Sequence, residues 1–167
     1  MLGACVVIIK GVLDEDFVNY KKTSMFICTA QCGGKCCIEA KVPMSICQNN
    51  KIRALTNILM PDIEICKRYL GNQITSAVVI GGLEPMEQKD EVLSLIKTLR
   101  IDFMCADDVV IYTGYYPHEV EDFITSASQF DNIIMKFGRF VPDRPHRFDE
   151  ILGVTLASDN QWAVKIT

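Results

Sequence analysis

Ala77-Val78-Val79-Ile80-Gly81-Gly82-Leu83-Glu84-Pro85 is the stretch on which the fold turns. Its four leading residues are apolar without alternation, as in a strand covered on both faces of a parallel sheet. The paired glycines end the strand, and Pro85 suits the opening turn of a following helix. That helix is marked by Val92, Leu93, Leu95, Ile96 and Leu99 on one face. The same unit recurs downstream. Val109–Tyr112 precedes Gly114 and a helix carrying Val120, Phe123 and Ile124, and Ile133–Phe137 precedes Gly138. Upstream, Met25–Cys28 is a short apolar run, and Cys5–Ile9 is continuous enough to be read as another strand covered on both faces. Pro61 with Asp62 and Glu64 starts a helix that carries Ile63, Ile65, Cys66, Tyr69 and Leu70 and stops at Gly71.

Strand, loop, helix, strand in this rhythm implies right-handed crossovers and an α/β protein with a mainly parallel sheet. The 167 residues make one domain, 1–167, with no internal repeat. Eight strand–helix units need about 250 residues, so a closed barrel is excluded. A partial, incomplete β/α barrel is expected, or an open sheet. Ligands of such sheets collect beyond the carboxyl ends of the strands. The unusual residues fall there: cysteines after Met25–Cys28, Gly81–Pro85, Thr113-Gly114-Tyr115, and Gly138-Arg139-Phe140.

Apolar residues make up 49% of the chain and charged ones 23%, with mean hydropathy +0.18, which supplies a substantial core. The formal charge of −4 has the wrong sign for neutralising phosphate backbones, so no nucleic-acid partner is expected. No apolar run reaches the roughly 20 residues of a membrane span. The Cys5–Ile9 run has neither the basic flank nor the length of a signal-peptide core, and a cytoplasmic protein is expected. Val141–Arg147 is read as a surface loop, and Asp14-Glu15-Asp16 and Asp107-Asp108 as solvated turns. Lys136, at a strand end, is expected to reach water, although a ligand carboxylate lies within its range. Neither His118 nor His146 has a partner at ligand spacing.

Five of the eight cysteines, Cys28, Cys32, Cys36, Cys37 and Cys47, crowd into one short stretch. A large core without a secretion signal argues against a disulfide framework and for a metal site. The paired C-x2-C spacing of structural zinc is absent. Three cysteines on one loop suit a four-iron cluster with one iron open, whereas Cys28 or Cys37 as a fourth ligand would close it. Cys5, Cys66 and Cys105 are read as small buried hydrophobes.

The ordered set Cys32-x3-Cys36, Ile46-Cys47-Gln48-Asn49, Gly81-Gly82-Leu83-Glu84-Pro85, Tyr112-Thr113-Gly114-Tyr115, Gly138-Arg139-Phe140 and Ser158-Asp159-Asn160-Gln161 resembles the radical S-adenosylmethionine activases of anaerobic ribonucleotide reductase. The resemblance runs from about Val12 to Ile166. It departs in two places: residues 37–46 lie between Cys36 and Cys47, where the family has two, and Leu83 interrupts the commoner Gly-Gly-Glu-Pro. The resemblance implies that Cys32, Cys36 and Cys47 hold one 4Fe-4S cluster whose fourth iron binds S-adenosylmethionine. It implies that Ile46 packs near the adenine and that Gly81, Gly82, Glu84 and Pro85 form the turn that meets the methionyl amino group. Tyr112, Thr113, Gly114, Ser158, Asn160 and Gln161 would finish the cofactor pocket. The implied partners are an anaerobic ribonucleoside-triphosphate reductase, which receives a glycyl radical, and an electron donor such as a flavodoxin or ferredoxin. Rival expectations are a radical enzyme acting on another peptide or metabolite, and a non-catalytic zinc or electron-carrying iron–sulfur protein.

Overall fold

The computed structural model describes residues 5–167. In chain order it contains β1 (Val6–Asp16), β2 (Ser24–Thr29), α1 (Lys35–Ala40), α2 (Asn50–Arg53), β3 (Ile58–Pro61) and α3 (Asp62–Gly71). There follow β4 (Ala77–Gly82), α4 (Lys89–Lys97), β5 (Asp108–Tyr112), α5 (Glu121–Ala127) and β6 (Ile133–Phe137). The chain ends with β7 (Arg147–Asp149), β8 (Val154–Leu156) and β9 (Trp162–Lys165). Seven strands form one sheet in the order β3-β1-β2-β4-β5-β6-β9, and β7 and β8 make a separate hairpin. The neighbours β2, β4, β5 and β6 run parallel, while β3, β1 and β9 join antiparallel at the two sides. The α/β class stands, with the parallel pairing confined to the four central strands.

Both faces of those strands are covered, which is why their sequences do not alternate. Val78, Ile80, Val109, Ile111, Ile133 and Met135 pack toward a core shared with Ile65, Leu95, Ile96, Leu99 and Phe123 of the helical side. The residues between them, Val79, Val110 and Ile134, pack with Tyr20, Leu152 and Leu156 on the opposite face. That second cover is the β7–β8 hairpin with the Phe17–Thr23 connection, joined where the Lys21 N–H donates to the Leu152 carbonyl at 2.8 Å. Helices α3 and α4 are tied by Asp62, whose Oδ2 accepts from Ser94 Oγ at 2.9 Å and Thr98 Oγ1 at 3.1 Å.

Four expectations are corrected. Of the run at Cys5–Ile9, the residues from Val6 on open a longer strand, β1, whose burial alternates: Val7 and Ile9 are buried and Val6 is exposed. The reason is its place beside the antiparallel edge, where only one face meets the core. Asp14–Asp16 is the end of β1 rather than a turn, and Asp16, 2% exposed, accepts from the Asn19 backbone and side chain at 3.1 Å. Asp107 and Asp108 are acceptors for Tyr69 at 2.6 Å and Tyr20 at 2.8 Å, and Lys22 pairs with Asp108 at 2.6 Å. Lys136 does not reach water; it is 6% exposed and its Nζ donates to the Gly138 carbonyl at 3.1 Å. Among the described residues no helix is long and apolar enough to cross a membrane.

Candidate metal centre and ligand cavity

Beyond the carboxyl ends of β2, β4, β5 and β6 lies a cavity of about 280 Å³, and the cysteine segment forms one wall of it. The segment is stitched to the glycine turn by backbone: the Leu83 N–H donates to the Thr29 carbonyl at 3.2 Å and the Glu84 N–H to the Gln31 carbonyl at 2.9 Å. Farther along, Asn49 Nδ2 donates to the Gly82 carbonyl at 2.6 Å, so the Cys47 loop is fastened to the same strand end. Gly82 has φ +92°, and a Cβ there would stand 2.4 Å from Cys28 Sγ and 2.8 Å from Cys28 Cα. Only glycine permits that close approach of β4 to β2.

Cys32, Cys36, Cys37 and Cys47 all line the cavity and are free thiols. Cys28 is also free, but it is buried behind Gly82 and does not line it. Successive helical residues point about 100° apart, and α1 accordingly turns its two cysteines to different neighbours. Cys36 stands beside Gly114 at the β5 turn, where Glu84, Cys32 and Lys136 act on it. Cys37 faces Cys47 and Cys32. Burial pushes both thiols above their ordinary range. Among the described residues no three His, Cys, Asp or Glu side chains are drawn together as a site for one metal ion. The donor set is nevertheless soft sulfur, unpaired by disulfides and gathered on one cavity wall, which is the chemistry that iron–sulfur clusters take.

Across the cavity, Glu84 is buried and satisfied: it accepts from Met86 N at 3.0 Å, Thr113 Oγ1 at 2.6 Å and Gly114 N at 2.8 Å. It caps the 3-10 turn Pro85–Gln88 and ties the β4 turn to the β5 turn. Burial raises its pKa while those three donors oppose the rise. Lys136 faces Glu84 and Cys36, and desolvation lowers its pKa to about 8 despite their attraction. With a single hydrogen bond to Gly138, this ammonium has donors to spare.

The cysteine helix is clamped by Arg139, which itself lines the cavity. Arg139, whose side chain is 5% exposed, donates Nη1 and Nη2 to the two Glu119 oxygens at 2.7 and 2.6 Å. Its Nε stands 2.6 Å from Glu39 of α1, and its guanidinium lies 4.8 Å from the Tyr116 ring centroid. Lys35, also on α1, pairs with the same Glu119. Arg139 holds Glu119 far below the usual carboxylate range.

Of the residues expected from sequence, Cys32, Cys36, Cys47, Ile46, Gly82, Glu84, Tyr112, Thr113, Gly114 and Gln161 come together on the cavity wall. Gly81, Pro85, Ser158 and Asn160 lie behind it. Gly81 O accepts from Thr29 Oγ1 at 2.9 Å, and Pro85 is buried in the 3-10 turn. Ser158 Oγ accepts from the Val141 N–H at 3.4 Å, and Asn160 Nδ2 donates to the Arg139 carbonyl at 2.8 Å. Those two hold the β6 loop instead of facing a ligand. Sequence reasoning missed Arg53 and the Arg139–Glu119–Glu39 cluster, and it placed Lys136 at the surface. No protein-family model, curated protein or solved structure matches this chain.

Proposed function

We propose that this chain is an iron–sulfur enzyme of the radical S-adenosylmethionine class, an activase built on a partial β/α barrel. The observation that carries the reading is the convergence of Cys32, Cys36 and Cys47 with the Gly82 turn and the buried Lys136 on one cavity. A 4Fe-4S cluster on those three thiolates, one iron left open, would supply the electron that cleaves S-adenosylmethionine to a 5′-deoxyadenosyl radical. The protein's part is placement. Gly82 lets β4 close on β2 and so sets the turn that follows it on the cavity wall. Lys136 offers spare donors and positive charge to a carboxylate, a charge-assisted contact. Ile46 and Tyr112 both line the cavity and would give apolar surface to a nucleobase. Arg139 and Glu119 fix α1, and with it Cys36 and Cys37, relative to the β5 and β6 loops.

The acceptor is a backbone glycine of an anaerobic ribonucleoside-triphosphate reductase, the reductant a flavodoxin or ferredoxin, and the setting the cytoplasm. The test is anaerobic reconstitution with iron and sulfide. Electron paramagnetic spectra of the reduced protein are then recorded with and without S-adenosylmethionine, and 5′-deoxyadenosine and methionine are assayed. A spectrum altered by S-adenosylmethionine with cleavage is expected, and an intact cluster that neither responds nor cleaves rejects the class. One observation favours a second reading: Cys37 lines the same cavity beside Cys47. A fourth thiolate would close the site and leave a non-catalytic zinc or electron-carrying centre, which the same spectra and metal analysis identify. Cleavage without a reductase-derived glycyl radical would point to another peptide or metabolite as substrate.

A further inference from the structure

Cys37 stands inside the stretch, residues 37–46, that enlarges the cysteine loop, and it is not one of the three proposed cluster ligands. Helix α1 ends just beyond it, where the Val42 N–H donates to the Cys37 carbonyl at 3.0 Å, and the chain then doubles back. Two contacts hold the return. Met44 lies against Gly34 at the start of α1, so close that a Cβ on Gly34 would stand 2.6 Å from the Met44 Sδ. Beyond Cys47, Arg53 Nη1 donates to the Cys32 carbonyl at 3.1 Å. Cys47 is bracketed by those contacts: its N–H donates to the Met44 carbonyl at 3.1 Å, and its carbonyl accepts from the Asn50 N–H at 3.0 Å. The doubled chain brings the Cys37 and Cys47 side chains within hydrogen-bonding reach of each other. The remaining thiols of the segment are engaged elsewhere. Cys36 Sγ packs at Gly114, where a Cβ would stand 3.0 Å from it, Cys32 Sγ accepts from the Gly34 N–H at 3.3 Å, and Cys28 is buried behind Gly82.

Two free thiols in contact, joined by a turn whose Lys41, Pro43, Ser45 and Ile46 are exposed, meet the first requirement of a disulfide, that the two sulfurs already approach each other. We propose that Cys37 and Cys47 form a reversible disulfide in the cluster-free chain, and that this bond withholds Cys47 from iron. The bond itself is independent of the cluster reading above, and its effect on iron rests on that reading. The oxidant is a low-molecular-weight disulfide. Cys47, the more accessible of the pair, attacks it as the thiolate, forming a mixed disulfide and releasing one small thiolate. Cys37, 6% exposed, gives its proton to solvent and attacks the Cys47 sulfur, expelling the second small thiolate. Two protein thiols thereby lose two electrons and two protons, and the small disulfide becomes two thiols. With Cys47 held by Cys37, only Cys32 and Cys36 of the proposed ligands stay free. A loop that has lost its cluster is thus kept from metal, and Cys47 from irreversible oxidation, until a thiol reductant reopens the bond.

The test uses the full chain, freed of iron, incubated anaerobically with oxidised glutathione, digested without reduction and mapped by mass spectrometry. A Cys37–Cys47 cross-link is expected, its mass two hydrogens below that of the reduced peptide pair. Cys37→Ser cannot close the bond and should carry glutathione on Cys47, whereas Cys47→Ser should leave the buried Cys37 unmodified. Ferrous iron and sulfide are then offered. The oxidised wild type is expected to take up iron only after reduction with dithiothreitol, and C37S kept reduced should take it up in full. A glutathione adduct on wild-type Cys47 without the cross-link overturns the proposal, as do a cross-link to Cys32 or Cys36 in place of Cys37 and a wild type in which both thiols stay free. Full iron uptake by the cross-linked chain overturns the gating. Should C37S not fold, C47S decides: glutathione on Cys37 defeats the assigned order of attack and an unmodified Cys37 supports it. If the reduced wild type assembles no iron–sulfur cluster, the cluster reading falls and the gating with it, while the mapped cross-link answers for the disulfide by itself.

Discussion

Replacing Glu119 by glutamine removes the carboxylate that two cations share. Arg139 is 5% exposed at its side chain and Glu119 16%, so this pair is far better screened from water than the Lys35 and Glu39 side chains, which are 43% and 47% exposed. Breaking a buried ion pair costs about 3–5 kcal/mol because the partner charge is stranded. Exposed pairs contribute about 0–1 kcal/mol. Glu39 remains against Arg139, and glutamine keeps one acceptor, so a loss of about 2–3 kcal/mol is expected for E119Q, below the full buried-pair figure. That is a large share of the roughly 5–15 kcal/mol that keeps a domain folded. The consequence reaches the site because α1 has six residues and no side-chain cap, too short to persist without its anchors. Urea unfolding of wild type, E119Q, Arg139→Met and the double variant closes a cycle, with a coupling of about 2 kcal/mol expected. Additivity within about 0.5 kcal/mol would refute the clamp. The pH dependence gives a second check. Arg139 depresses the folded-state pKa of Glu119, so its stabilisation is complete above the ordinary value of 4.5 and is lost as pH falls toward the folded value. E119Q should lack that acid-side loss.

Gly82→Ala should cost about 3 kcal/mol by urea unfolding, since it adds positive-φ strain to a backbone collision with Cys28, and Cys28→Ala should restore only the part due to sulfur. Lys136→Met removes a buried cation of similar bulk and should leave stability equal or higher, yet weaken S-adenosylmethionine binding about tenfold or more by calorimetry. Because burial lowers the Lys136 pKa from 10.5 to about 8, the unfolded chain binds more protons between those values and wild-type stability rises with pH there. A K136M protein that shows the same alkaline rise would contradict this. In iron analysis after reconstitution, Cys32→Ser, Cys36→Ser and Cys47→Ser should each lose the cluster while Cys28→Ser and Cys37→Ser retain it; loss in C37S with retention in C47S would reassign the third ligand.

Ala77–Ile80, Val109–Tyr112 and Ile133–Phe137 were legible as central strands because solvent and core impose a local pattern, and a strand covered twice has no polar alternation to hide. The same locality made the Gly81-Gly82 turn and the α4 face readable, and the cysteine crowding marked a segment that lines the cavity. Short strands such as β3, β7, β8 and β9 escaped because three or four residues carry too little periodicity to distinguish a ladder from a loop. Cys5–Ile9 misled for a related reason: an apolar run does not state how many of its faces will be covered.

Polar partnerships were decided by tertiary structure alone. Lys136 meets Glu84 from a strand two places away, Arg139 gathers Glu39 and Glu119 from remote segments, and Arg53 of α2 reaches the Cys32 carbonyl in the loop before α1. Such pairings depend on direction and distance across the fold, to which hydrophobic period is blind. The sequence by itself therefore determined which central segments are buried and where the cysteines gather. The tertiary structure decided which charges are sealed beside that sulfur, because desolvation and ion pairing arise only once distant segments exclude water together.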